Sequence, residues 1–323
     1  MIRDRLFTSA VELDEDQARY LRAGSGGQAV EVHPPRAQSI SATLNQFTKT
    51  IYEPQTKWFG VKNTSPVAAF EIRRTVPDQV SMQFIVPTKR LERKVRTQLE
   101  NEVPGVGFSD GTLQLPISEG CTVGGGLLEP GCRDWYPLET GFNSPPNNSV
   151  LSALHRHAMQ NSQFVIQILF QPVVGRPVRS WWWTRRAYQR IGYLRKEKEK
   201  LWGSRSATPR EKQQANAVEA KAGSPRFNVS IRFLIVNGGE YTRSRVKELS
   251  GAFNVFENPE TGQYLNATTV QTLRKRSLLR FVDAVGQRDF QGWGRRFQAT
   301  TEELASLISI PDIDQQNIQY NTA

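Results

Sequence analysis

Histidine and cysteine are nearly missing from this 323-residue chain, which has three of one and two of the other. Cys121 and Cys132 stand in no CxxC and beside no histidine, so a zinc site or a disulfide framework has no support, and an intracellular, reducing compartment fits. His155 and His157 are two apart in a stretch of helical pattern. Side chains so spaced on a helix diverge by about 200° and do not share one ion. With His33 the only other histidine, neither a metal centre nor a histidine-dependent nucleophile is expected. No GxxxxGK[ST] occurs, and the glycine runs VPGVGFSDGT and TVGGGLLEPG lack the lysine and hydroxyl of a phosphate-binding loop. VPGVGF also follows a helical rather than a strand pattern, which makes it a turn and not a dinucleotide fingerprint. Adjacent carboxylates such as Asp14-Glu15-Asp16 and Glu302-Glu303 read as surface or cap residues. No run approaches the roughly 18 apolar residues of a membrane span, and the start, MIRDRLFTSAVELDEDQARY, has no apolar segment of a signal peptide. These absences predict a protein without enzymatic activity, cofactor or metal, placed in the cytoplasm or peripherally at the cytoplasmic membrane.

What is abundant is positive charge: 42 Lys+Arg against 31 Asp+Glu give a formal +11, which selects an acidic partner such as nucleic acid, an anionic membrane or an acidic protein. At 38% hydrophobic residues the chain has ample material for a core.

The pattern along the chain predicts an α+β protein. Residues 1–48 read as a polar arm, broken at Gly24–Gly27 and by His33-Pro34-Pro35. A first sheet-plus-helix unit spans 49–178, with strands at 68–73 and 80–86 and a helix capped by Thr88 carrying Leu91, Val95 and Leu99. Pro104-Gly105 ends that helix. The stretch 106–148, rich in Gly, Pro, Ser and Asn, reads as long loops with short strands, followed by a short helix capped by Ser149 and a buried strand, FVIQILFQPVV. Residues 179–225 form a basic helix and then a polar stretch, either an exposed helical hairpin or a disordered linker. A second unit, 226–311, opens on the strand FNVSIRFLIV. It continues with a helix capped by Thr242 whose stripe is Val246, Leu249, Phe253 and Phe256, a helix near 266–276, a strand at 279–284, and a capping box at Thr300–Glu303. Residues 312–323 read as an unanchored tail. A ferredoxin-like arrangement is one candidate for each unit.

The most distinctive segment is WWWTRRAYQRIGYLRKEKEKLW. Trp183, Ala187, Ile191 and Leu194 recur at helical intervals and predict a buried stripe. From Arg176 to Lys200 nine cations face only Glu197 and Glu199, more than a solvated helix face needs. The candidate site is therefore Arg185, Arg186, Arg190, Arg195, Lys196, Lys198 and Lys200 as anion-binding residues, with Trp181, Trp182 and Trp183 as aromatic anchors that fix the helix. A second cluster, Lys89, Arg90, Arg93, Lys94 and Arg96, reads as a solvated helix face with a Glu92–Arg96 pair.

The segment from Trp181 into RFNVSIRFLIV, with GAFNVFENPETGQYLN and TTEELASLISIP after it, resembles the region preceding the motor in conjugative DNA-transfer ATPases of type IV secretion systems, HerA-like archaeal plasmid members included. In that family a charged helical segment leads into a Phe-x-Val-x-Ile-Arg strand, here Phe227, Val229, Ile231 and Arg232. A Glu-Leu-Ala-x-Leu…Pro helix precedes the motor, here Glu303, Leu304, Ala305, Leu307 and Pro311. The likeness covers roughly residues 68–311 and rests on structural motifs. Walker A, Walker B and arginine-finger parts are absent from this sequence, so the resemblance implies an accessory, pre-motor module and no ATPase activity. It implies a motor ATPase or membrane-channel subunits as partners, with DNA contact and homo-oligomerisation as further expectations. Two other readings stand beside it: an independent single-stranded nucleic-acid-binding protein, and a peripheral protein whose Trp/Arg segment lies on anionic lipid.

Overall fold

In RFNVSIRFLIV every second residue from Phe227 to Ile235 is apolar and enters one core, while Leu234 and Val236 enter another on the opposite side. A strand apolar on both faces and long enough to pair on both edges belongs in the middle of a sheet. This strand, β12 (Arg226–Val236), pairs antiparallel with β9 (Gln163–Pro172) on one side and β8 (Thr122–Pro130) on the other. The computed structural model describes residues 8–24, 26–36, 40–77, 79–156, 159, 161–174, 178–196, 198–200, 203–290, 295–312 and 318. Among these, one ten-stranded sheet runs in the order β1 (Ala10–Glu12), β8, β12, β9, β5 (Ala68–Val76), β6 (Gln79–Val86), β2 (Gln28–His33), β7 (Gly107–Asp110). β13 (Leu265–Thr269) lies beside β8 and β14 (Phe297–Thr300) beside β12. Two small ribbons stand apart, β3 (Thr56–Lys57) with β4 (Lys62–Asn63) and β10 (Lys198–Lys200) with β11 (Gly203–Arg205).

The α+β class is as expected, but its division is not. Strands from 49–178 and 226–311 alternate within the same sheet, so neither stretch forms a ferredoxin-like unit of its own. Nor is 1–48 an arm: β2 sits between β6 and β7, and β1 borders β8. The physical reason is that β9 and β12 are buried on both faces and demand partners on both edges, which only distant segments supply.

Helices cover both faces. On one, α2 (Asn45–Ile51), α3 (Lys89–Glu102), α4 (Asn147–Leu154), α7 (Thr242–Gly251) and α9 (Thr301–Leu307) bury their stripes in the larger core. The Thr88 hydroxyl accepts from the Leu91 amide at 3.3 Å, as its position before α3 predicts. The opposite face carries α1 (Glu15–Arg22) and α8 (Lys275–Gly286), with Leu278, Phe281, Val282 and Val285 in the second core. Here the expected helix at 266–276 and strand at 279–284 exchange identities: 265–269 is the strand and 275–286 the helix. Thr242 is likewise inside its helix, its hydroxyl donating to the Gly239 carbonyl at 2.8 Å, and Ser149 lies in the first turn of α4. The last two elements, α5 (Val178–Arg195) and α6 (Pro209–Gly223), form a helical pair with its own apolar cluster. The second of them, opened by a Thr208/Glu211 capping box, occupies the stretch that admitted a disordered linker. Within the C-terminal stretch, Ile318 is buried and bridges to Val80.

Gly124, Gly125 and Gly126 lie in β8, a full strand within what reads as loop. A Cβ on Gly125 would collide with the Phe233 carbonyl oxygen and the Phe281 ring, and one on Gly126 with Val246. The glycines let α7 and α8 approach the backbone of the strand from opposite faces. On the second face a polar row, Arg232, Gln167, Glu71 and Gln83, crosses β12, β9, β5 and β6 in register. Burial pushes the Glu71 carboxyl up, but Arg288, Arg73 and the two glutamine amides outweigh it and hold the group below its ordinary value. The Arg288 guanidinium lies 3.1 Å and that of Arg73 3.4 Å from this carboxylate.

Candidate functional site

The helix α5 is held by one of its three tryptophans. Trp183 is buried, its indole N–H donates to Asp134 Oδ1 at 2.8 Å, and the Arg226 guanidinium lies 4.3 Å from its ring centre. The other carboxylate oxygen of Asp134 accepts the Gln298 amide at 3.0 Å, which ties the helix to β14. Arg226 is fixed by Gln298 Oε1 at 2.9 Å and the Lys221 carbonyl at 3.0 Å, and its burial lowers its pKa. Below Trp183 the predicted stripe of Ala187, Ile191 and Leu194 packs against Ala215, Val218 and Ala222 of α6. The pair is joined to the body by Lys221, whose ammonium donates to Glu303 Oε1 at 2.8 Å with both side chains almost fully buried.

Trp181 and Trp182 are not part of this anchor. They stand 50% and 47% exposed, edge to face with ring centres 5.4 Å apart. Arg185 stacks over both rings, at 5.3 and 5.9 Å, and Arg186 lies 5.7 Å from that of Trp182. Tyr188 and Tyr193, 50% and 54% exposed, continue the same outward side toward Lys196. Neither Arg185, Arg186 nor Lys196 forms an ion pair with a described residue. Gly192 lies on this side as well, with open space where a side chain would stand. The result is a track along the helix in which aromatic rings alternate with guanidinium and ammonium groups.

The remaining expected cations divide differently. Arg190 is half-buried, its Nε donating to the Tyr136 hydroxyl at 2.7 Å and its guanidinium 4.9 Å from the Tyr193 ring. Arg195 bonds Glu219 at 2.5 Å and Asn216 at 2.9 Å across the helical pair, a contact that lowers the Glu219 pKa and raises that of Arg195. Both therefore serve the scaffold. The backbone of Lys198 and Lys200 forms β10, while their side chains, with those of 176 and 179, lie outside the described residues. In the second basic cluster the expected Glu92–Arg96 pair forms at 2.9 Å, and Arg90 and Lys94 both pair with Glu53.

The residues of the Phe-x-Val-x-Ile-Arg motif are structural here. Phe227, Val229 and Ile231 enter the larger core, and Arg232, fully buried on the other side, donates to the Asp289 carbonyl. Burial pushes its pKa down to about 9. No group of three metal-ligating side chains occurs among the described residues, and none of their helices is long and apolar enough to cross a membrane. His157 lies outside the described residues. Asp134, Tyr136 and Arg226, the clamps on α5, carry no local signal of that role, since nothing in 133–137 or beside 226 marks a partner of this helix.

The family described as a domain of unknown function (DUF8128) matches residues 3–323, and the chain belongs to that family. No curated protein matches it.

Proposed function

We propose that this chain is a non-catalytic accessory module of a conjugation-type DNA translocase. Its body docks to a motor ATPase or channel subunit on the cytoplasmic side, and the outer side of α5 holds single-stranded DNA. The observation that carries the reading is the run of exposed rings interleaved with Arg185, Arg186 and Lys196, which make no ion pair with a described residue, on a helix locked from behind by Trp183. Single-stranded nucleic acid is held by stacking of bases on aromatic faces and by cations that follow the backbone, and α5 offers both at helical spacing. Guanidinium groups already resting on Trp181 and Trp182 are positioned without further ordering. A lone cationic helix would attract any polyanion; interleaved rings favour one whose bases are unpaired.

The test is binding of a fluorescent oligodeoxynucleotide across a salt series. Affinity should fall steeply, with a slope of about −0.7 per phosphate neutralised on a log–log plot. Reversing Arg185 and Arg186 to glutamate should weaken binding at least about tenfold at low salt. Salt-insensitive binding, or none, defeats the nucleic-acid part. Co-purification with a motor ATPase tests the docking part; an intact oligonucleotide affinity with no motor partner would instead favour an independent single-strand-binding protein.

A further inference from the structure

The ribbon formed by β3 and β4 carries a second surface that the DNA reading does not use. Its cross-strand pairs are Thr56 with Asn63 and Lys57 with Lys62, leaving Trp58, Phe59, Gly60 and Val61 as the connecting turn. Trp58 is 78%, Phe59 97% and Val61 61% exposed. Trp58, Phe59 and Gly60 have φ of 57°, 54° and 89°, three successive left-handed residues. Such a turn favours glycine or asparagine, since a Cβ crowds the following carbonyl. Two large aromatics occupy it instead and stay largely exposed, which turn preference does not explain.

The base of the ribbon is fixed. The Thr64 amide donates to the Gln55 carbonyl at 2.9 Å, the Gln55 amide to Ser65 Oγ at 2.8 Å, and the Asn63 side chain to the Pro172 carbonyl at 2.8 Å. The apex is also closed on itself, the Val61 amide donating to the Trp58 carbonyl at 3.1 Å. Two lysines directly opposite one another repel, yet Lys57 and Lys62 flank the apex on both strands, with no ion pair to a described residue.

We propose that this apex is a membrane-docking element that seats Trp58 and Phe59 in the headgroup region of an anionic lipid surface. The shape is convex and narrow, which suits insertion between lipids better than the filling of a protein groove. Tryptophan rings settle at the headgroup level of a bilayer, and lysines beside them meet lipid phosphates and carboxylates. The ribbon stands beside the first turn of α5, Val61 and Lys62 lining one cavity with Ser180; membrane docking through the apex holds the module in place while the exposed side of the helix remains the DNA contact.

The experiment is flotation of the full chain with phosphatidylcholine vesicles, with and without phosphatidylserine. The wild type should float with the anionic vesicles and not with the neutral ones. Trp58→Ser/Phe59→Ser should lose flotation while keeping its thermal melting and its oligonucleotide affinity, because the substituted side chains are solvent-exposed. Lys57→Glu/Lys62→Glu should weaken partitioning at least about 20-fold, and it decides the matter should the serine variant misfold. Wild-type protein that stays at the bottom with anionic vesicles, equal flotation with neutral vesicles, or tip variants that float like the wild type each overturn the proposal. The outcome is separable from the DNA reading, since Arg185→Glu/Arg186→Glu leaves the apex untouched and should still float.

Discussion

Replacing Lys221 with methionine probes how the basic helix is attached to the sheet. The Lys221 ammonium lies 2.8 Å from Glu303 Oε1, with side-chain exposures of 2% and 1%. The same carboxylate accepts the Thr300 amide at 2.7 Å and the Leu138 amide at 2.7 Å, so it is held in place and does not swing out to water when its cation is removed. A buried charge stripped of its partner costs about 3–5 kcal/mol, whereas exchanging both partners for neutral groups of similar size is close to neutral. Lys221→Met should therefore lose about 3–5 kcal/mol in urea unfolding, with a lowered midpoint and an unchanged m-value. The double variant Lys221→Met/Glu303→Gln should recover only part of that loss, since the glutamine oxygen accepts one of the Thr300 and Leu138 amides while its amino group faces the other donor. The surface pair Arg195–Glu219 is the control, and Arg195→Gln should leave stability within error because both groups are solvated. A Lys221→Met loss below about 1 kcal/mol, the range of exposed pairs, would refute the reasoning.

Trp183→Ala should cost about 3–5 kcal/mol through lost burial and a cavity, and Trp181→Ala/Trp182→Ala far less; comparison of thermal melts checks this, and equal losses would contradict the division between anchor and track. Gly125→Ala should destabilise by more than the roughly 1–3 kcal/mol of ordinary overpacking, because the new Cβ meets a strand carbonyl that does not yield; wild-type chemical stability would contradict it. The Glu53 carboxyl is held at about 2, below its ordinary 4.5, mainly by the Arg90 hydrogen bond against a smaller burial effect and with help from Lys94. A depressed carboxylate contributes stability above its unfolded pKa and loses it as pH falls toward the folded one. The destabilisation caused by Glu53→Gln should thus be constant at neutral pH and fade between about 4.5 and 2, as followed by melts across pH.

Much of the secondary structure is legible where local chemistry decides it. Thr88 before Leu91, Val95 and Leu99, and Thr300 before Glu303, mark helix starts by cap and stripe together, and the structure places both. SLLRFVDAV is different: its apolar run fits a short buried strand or the inner face of a helix, and only packing of Leu278, Phe281, Val282 and Val285 on the second sheet face selects the helix. Gly124–Gly126 suggest a loop because glycine disfavours strands, while their use, close approach of two helices, depends on Phe281 and Val246 far along the chain. The single sheet is hidden for the same reason, since β9 lies between β5 and β12. In the candidate site, the stripe through Trp183 and the cations were readable from spacing. The outward turn of Trp181 and Trp182, and the commitment of Arg190 and Arg195 to Tyr136 and Glu219, required the tertiary contacts.

Photo-crosslinking tests the outer side of α5 as the DNA contact most directly. An oligodeoxythymidylate irradiated in complex with the full chain and digested for mass spectrometry should yield adducts within Trp181–Lys196, above all on Trp181, Trp182, Tyr188 or Tyr193. Excess unlabelled oligonucleotide should abolish them, and so should Arg185→Glu/Arg186→Glu. Adducts confined to other surfaces, such as the Trp58–Phe59 apex, or adducts on α5 that persist after the charge reversal, would contradict it.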